Sequence, residues 1–176
     1  MNTLETSRLI LRPHTEADAA DFVMLNCDEI VVRYTGDAAI HTEAEALHIF
    51  RHIIFPQYAK YDMGRLAVVL KSTGEYLGWC GLKFHVDENE VDIGYRLMPK
   101  YWGKGYATEA ASVCIKEGFK YYKLNEIVAT IVPENVDSIG VIEKIGLQFL
   151  EEEIGFEDTT LLWKYSISKE KYFLPL

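Results

Sequence analysis

Long apolar runs are missing from this sequence, where nothing approaches the roughly 20 residues that cross a bilayer. The polar opening Met1-Asn2-Thr3-Leu4-Glu5 also lacks the basic and apolar regions of a secretory signal. Both absences lead to the expectation of a cytoplasmic protein with no membrane partner. Positive charge is scarce as well. Against 27 acidic side chains stand 18 basic ones, and the formal net charge of −9 repels nucleic acid and mildly attracts cationic substrates. Cysteine is limited to Cys27, Cys80 and Cys114, which cannot all pair and show no Cys-x-x-Cys spacing. Buried reduced thiols are therefore expected, without a disulfide or zinc framework. His48 and His52 lie one helical turn apart, but Ile49 stands where a zinc protease needs glutamate, so no metal is expected there. No repeat, linker or low-complexity segment divides the chain.

What is present suits one domain of 176 residues with a single sizeable core. Its organising stretch is residues 90–111. Val91, Ile93, Tyr95 and Leu97 alternate with Asp92, Gly94 and Arg96 at the period of a strand with two different faces. Pro99 ends that strand, and with Met98 it is expected to splay the chain and leave backbone groups facing a gap. Beyond Gly103-Lys104-Gly105, the residues Ala107, Ala110, Ala111, Cys114, Phe119 and Tyr122 recur at helical spacing. The turn thus delivers free backbone N–H groups at a helix N-terminus, an arrangement that favours an anion, with Lys104 adding charge.

Two phosphate-binding readings of this turn fail on spacing. No Gly-x-x-x-x-Gly-Lys-Ser/Thr run occurs, and Thr108 stands where a dinucleotide fingerprint needs its third glycine or alanine. The run Pro99-Lys100-Tyr101-Trp102-Gly103-Lys104-Gly105-Tyr106-Ala107-Thr108-Glu109-Ala110 resembles instead the acyl-CoA pyrophosphate loop of the GNAT acetyltransferases, in the form of their RimJ/RimL-like branch. Trp102 replaces the usual polar first residue. Ser7-Arg8-Leu9-Ile10-Leu11-Arg12-Pro13, followed by Asp18, resembles the opening strand and helix of the same branch, so the likeness covers nearly the whole chain.

The remaining pattern reads as a mixed α/β sheet with helices on both faces. Capping signals at Thr15-Glu16-Ala17-Asp18 and Thr42-Glu43-Ala44-Glu45 start two early helices, the second expected to stop at Pro56. Strands are predicted over 65–71, 75–83, 126–132, 147–153 and 159–167, the last two joined through Gly155, with a short helix over 137–144 capped by Gly146. The resemblance implies a GNAT fold in which strands 91–97 and 126–132 diverge around acetyl-CoA. It further implies that the pantetheine arm pairs near Leu97 and Met98, and that the pyrophosphate lies on the amides of Gly103, Lys104, Gly105, Tyr106, Ala107 and Thr108.

Residues 135–147 resemble the family's second CoA signature, with Leu147 at the usual phenylalanine position. Asn135 suits pantetheine amides because it donates and accepts at once, and it equally suits a turn that bonds its own backbone. The family's thiolate-protonating tyrosine position is occupied by Ile142, which leaves Ser138 as general acid, or as a helix cap. Asp92 stands where the branch carries a glutamate. One methylene shorter, it acts as base directly or through a water, or only positions the substrate.

The activity implied is N-acetyl transfer from acetyl-CoA to a primary amine by direct attack, since no cysteine sits in a Cys/His activation setting. A protein N-terminal amine is the first acceptor and a polyamine or amino-sugar the second. A CoA-binding sensor without turnover is the alternative from another class, and a homodimer is a possible assembly.

Overall fold

The computed structural model describes residues 1–155 and 159–174. Among these residues, eight strands form one sheet in the order β1-β2-β3-β4-β5-β6-β8-β7. They are β1 (Leu4–Glu5), β2 (Leu9–Arg12), β3 (Arg65–Leu70), β4 (Tyr76–His85), β5 (Glu90–Leu97), β6 (Glu126–Ile131), β7 (Gln148–Gly155) and β8 (Thr160–Ser168). All neighbours pair antiparallel except β5 and β6, which run parallel. The helices are α1 (Ala19–Asn26), α2 (Glu29–Val32), α3 (Glu43–Ile49), α4 (Phe55–Tyr61), α5 (Tyr106–Lys120), α6 (Val136–Lys144) and α7 (Lys169–Phe173). None of them is long and apolar enough to cross a membrane.

Period-two alternation gives the sheet two different apolar faces. Cys80, Leu82, Ile93 and Leu97 join Ala110, Ala111, Cys114, Ile115 and Phe119 of α5 in the main core, together with Ile127, Ile142 and Leu147. A second cluster holds Ala19 and Phe22 with Ala46, Phe50 and Ile54, and Trp79 packs against it from the sheet. The early helices thus cover one face and α5 the other. Both predicted capping boxes form, with the Thr15 N–H donating to Asp18 Oδ2 at 2.7 Å and the Thr42 N–H to Glu45 Oε2 at 2.9 Å.

Pro56 does not stop its helix. Residues 50–54 adopt a π-helical turn and α4 continues from Phe55, so the proline falls in the first turn of a new segment, where a missing N–H costs least. β1, α2 and α7 have no forerunner in the sequence pattern. Gly155, expected to join the last two strands, is instead the final residue of β7 and pairs with Thr160, while residues 156–158 lie outside the described residues. Of the three thiols, Cys80 and Cys114 are buried with sulfurs 3.9 Å apart, but Cys27 is exposed because it caps the surface end of α1.

Candidate active site

A single registered pair, Asp92 with Val128, joins β5 to β6. Beyond it the two strands run on to Leu97 and Ile131 with no further pairing, while β5 stays zipped to β4 and β6 to β8. That divergence opens a slot at the C-terminal ends of two parallel strands, and α5 begins at its mouth. Gly105 occupies the N-cap position at φ 76°, a left-handed conformation that a side chain strains, and no side chain caps the helix. The first-turn N–H groups are therefore turned to whatever fills the slot.

The turn is held from behind. Arg8 Nε reaches Glu109 Oε2 at 2.6 Å, its Nη1 donates to the Lys104 carbonyl at 3.0 Å, and its guanidinium lies 4.4 Å over the Tyr106 ring. Glu109 also accepts from the Thr6 hydroxyl at 2.5 Å, the Ser7 hydroxyl at 3.0 Å and the Arg8 backbone at 2.9 Å. Burial alone pushes this carboxyl up, but these donors outweigh it and hold the pKa at about 2. Two stretches a hundred residues apart thus form one support for the glycine turn.

The expected free backbone at Leu97 and Met98 needs correction. The Met98 N–H donates to the Leu77 carbonyl at 2.9 Å, so it belongs to the β4 side of the ladder and not to the slot. Antiparallel alternation turns Leu97 the other way. There the indole N–H of Trp102 reaches the Leu97 carbonyl at 2.6 Å, leaving one lone pair for a further donor. Trp102 is thus a brace across the turn, a role its position in the motif did not announce.

On the far side of the slot, Asn135 Oδ1 accepts the Ser138 N–H at 3.3 Å and is the N-cap of α6, which removes that role from Ser138. The Asn135 amide NH₂ and one lone pair of its Oδ1 are left for a ligand. The Tyr95 hydroxyl bridges from β5 to the Ser138 carbonyl at 2.9 Å, and burial pushes its phenol pKa up. Ile142 is buried in the core, where it has no chemistry to offer.

Asp92 lies on the opposite face from α5. Its Oδ2 pairs with Arg65 Nη2 at 2.5 Å and its Oδ1 with His85 Nε2 at 2.9 Å. Burial raises this carboxyl, but Arg65 and then His85 outweigh it and hold it below the usual carboxylate range. Arg65 can lie flat here only because Gly94 has no side chain, since a Cβ there would stand 2.6 Å from Arg65 Nη2. The same guanidinium bonds the Gly81 carbonyl and stacks 5.4 Å from the Trp79 ring centroid, with Arg96 on the same ring at 5.2 Å. Arg96 in turn binds Asn26 and, at 2.5 Å, Asp37 of the α2–α3 connection, which ties that loop to the sheet. Sequence reasoning gave Arg8 no role although it stands in the opening-strand motif, and it missed Arg65 and His85, because their shared partner Asp92 lies on another strand.

A slot between diverging parallel strands, with a glycine-capped helix N-terminus at its mouth, is the architecture of an acyl-CoA-dependent acetyltransferase. The sequence profile of the acetyltransferase (GNAT) domain matches residues 8–148, and the chain belongs to that family. It is 32% identical to the uncharacterized N-acetyltransferase p20 of Bacillus licheniformis over 149 residues, 84% of this chain and 83% of that one. Its fold superposes on a GNAT-family acetyltransferase from Bacillus anthracis with a TM-score of 0.83 at 26% identity, covering 96% of this chain and 99% of the other. The spermidine N-acetyltransferase of Vibrio cholerae, solved with CoA and spermine, shares the fold with a TM-score of 0.80 at 17% identity, covering 96% and 100%. The chain is an acyltransferase that uses acetyl-CoA for N-acetylation.

Proposed function

We propose that this enzyme acetylates a primary amine that meets the thioester at the point where β5 and β6 part, and that the acceptor is an N-terminal α-amine of a protein. The single observation that carries the site is the unpaired slot above Asp92 and Val128, with the uncapped N-terminus of the 15-residue α5 at its mouth. In this reading the amides of Gly103, Lys104, Gly105, Tyr106, Ala107 and Thr108 hold the pyrophosphate. Leu97 and the Asn135 NH₂ orient the pantetheine arm. Asp92 drives removal of the amine proton through an intermediary, because Arg65 and His85, one on each oxygen, hold its own pKa below the usual carboxylate range. Ser138, half-buried beside the slot, returns a proton to the departing thiolate. The N-terminal acceptor follows from the RimJ/RimL-like motifs at residues 7–13 and 99–110.

A second reading, a small polyamine, is favoured by the net charge of −9, which draws cations toward the enzyme. The name of the Vibrio cholerae neighbour agrees with it.

The deciding experiment is acetyl-CoA consumption against peptides of varied N-terminus, spermidine and glucosamine, read by released thiol and by product mass. Peptide α-amine acetylation with little turnover of the small amines is expected. Preferential turnover of spermidine would replace the first reading with the second. Binding of acetyl-CoA with no amine acetylated would overturn both.

A further inference from the structure

The amine proton still has no carrier. An acceptor that enters as neutral amine becomes positively charged once its lone pair joins the thioester carbonyl, and it must then shed a proton to a nearby group. Asp92 is a poor proton acceptor, with Arg65 at 2.5 Å on one oxygen and His85 at 2.9 Å on the other holding the carboxyl below its usual range. His85 lies on the same face of the sheet as Asp92, because Lys83 faces Asp92 and His85 faces Glu90 across the ladder. Its side chain is 34% exposed, against 21% for Asp92, so the ring is the more accessible of the two partners. The charged groups around the ring are Asp92 and Glu90 of β5, Lys83 of β4, and Arg65 of β3 acting through Asp92. Glu90 is itself neutralised by Lys164 of β8 at 2.7 Å, which Glu153 of β7 approaches at 3.8 Å. Asp92 is left as the carboxylate in direct contact with the imidazole.

We propose that His85 is the proton acceptor of the transfer reaction and that Asp92 is its positioning residue, an assignment that rests on the amine-acetylation reading above. With Nε2–H donated to Asp92, Nδ1 carries a free lone pair. The amine nitrogen forms its bond to the carbonyl carbon while the carbonyl π pair moves to oxygen, and the nitrogen's surplus proton passes to Nδ1 directly or through one water. Collapse of the tetrahedral adduct breaks the C–S bond. The thiolate leaves with the electron pair and takes a proton from Ser138, which recovers one from solvent, or from solvent itself. The imidazolium, stabilised by Asp92, then releases its proton to solvent. Arg65 keeps Asp92 ionised throughout.

His85→Gln keeps an amide N–H for Asp92 but has no basic nitrogen. With acetyl-CoA and the amine panel above, its kcat/KM should fall about 10²-fold or more, with acetyl-CoA affinity by calorimetry unchanged. Its rate should go on climbing with pH where wild type levels off. Asp92→Asn should move the rising limb of the pH–rate profile to lower pH, because the imidazolium loses its counter-charge. A merely structural role would scale the profile without moving it. Independent of turnover, long-range ¹H–¹⁵N spectra at pH 7.5 should show His85 as the Nε2–H tautomer. Wild-type kcat/KM and profile shape in His85→Gln, or the Nδ1–H tautomer, would overturn the proposal. Failure of the wild-type enzyme to acetylate any amine is a different result, and it overturns the preceding reading.

Discussion

Glu109 shows how one side chain links two distant motifs. Its carboxylate collects the Thr6 and Ser7 hydroxyls, the Arg8 backbone and the Arg8 guanidinium, and it lies in the first turn of α5, where negative charge is favoured. Because the folded pKa of about 2 lies below the ordinary glutamate value of 4.5, its stabilising contribution is complete above about 4.5 and is lost as pH falls toward 2. Glu109→Gln should therefore destabilise the protein by about 1–3 kcal/mol at pH 7. Urea unfolding should show the gap from wild type narrowing between pH 4.5 and 3. A gap that stays constant over that range would mean that packing, not charge, holds the junction. The same variant frees Arg8 from behind the glycine turn, so acetyl-CoA affinity should fall with it.

At the scale of an element, α6 has to serve both the fold and the slot, and Asn135 divides its atoms between them. Its oxygen caps the helix through the Ser138 N–H, while its NH₂ is available for a pantetheine carbonyl. Asn135→Asp preserves an accepting oxygen and so should hold thermal stability within about 0.5 kcal/mol of wild type. Asn135→Ala should lose about 1 kcal/mol of cap energy. Both should weaken CoA by about 1–2 kcal/mol, since both lose the donor. Calorimetry and melting of the two variants separate the roles, and full CoA affinity in Asn135→Asp would leave Asn135 as a cap alone. The helix before β3 teaches a related lesson. A proline read as a stop became the first turn of α4, because a π-turn had already shifted the hydrogen-bond register.

For the molecule as a whole, His14 is the place where pH reaches the second core. It is buried between Phe22 and Phe50, with Nδ1 3.2 Å from the Tyr58 hydroxyl and the Arg65 carbonyl, and Nε2 3.2 Å from the Tyr76 hydroxyl. Burial lowers its pKa from the ordinary histidine value of 6.5 to about 4, against the opposing pull of Asp18. The unfolded chain therefore binds a proton that the folded chain refuses. The stability this neutral ring contributes is present above about 6.5 and is lost as pH falls through 4, at up to about 1.4 kcal/mol per pH unit. Denaturant midpoints should fall across that window in wild type, and the slope should flatten in His14→Gln. An unchanged slope would assign the acid sensitivity to other groups.

Alternation along residues 91–97, the helical spacing after Gly105 and the two capping boxes were legible because they depend on neighbours within a few positions, where period and backbone stereochemistry act. With the other strand-like runs they set the order of the main strands and helices, apart from β1, α2, α4 and α7. Local pattern could not assign the partners of a side chain. Asp92 could be read as a free base until Arg65, from a strand 27 residues earlier, crossed the bare backbone of Gly94 to reach it and His85 closed its other oxygen. Trp102 looked like a neutral replacement until the turn folded its indole onto Leu97, and Ser138 could be a cap until Asn135 filled that position. The sequence by itself determined the elements and the glycine turn, which are properties of short segments. Only the tertiary structure decided which polar atoms stay free for chemistry, because that depends on which donors and acceptors the chain brings together from far apart, and each buried one must find a partner.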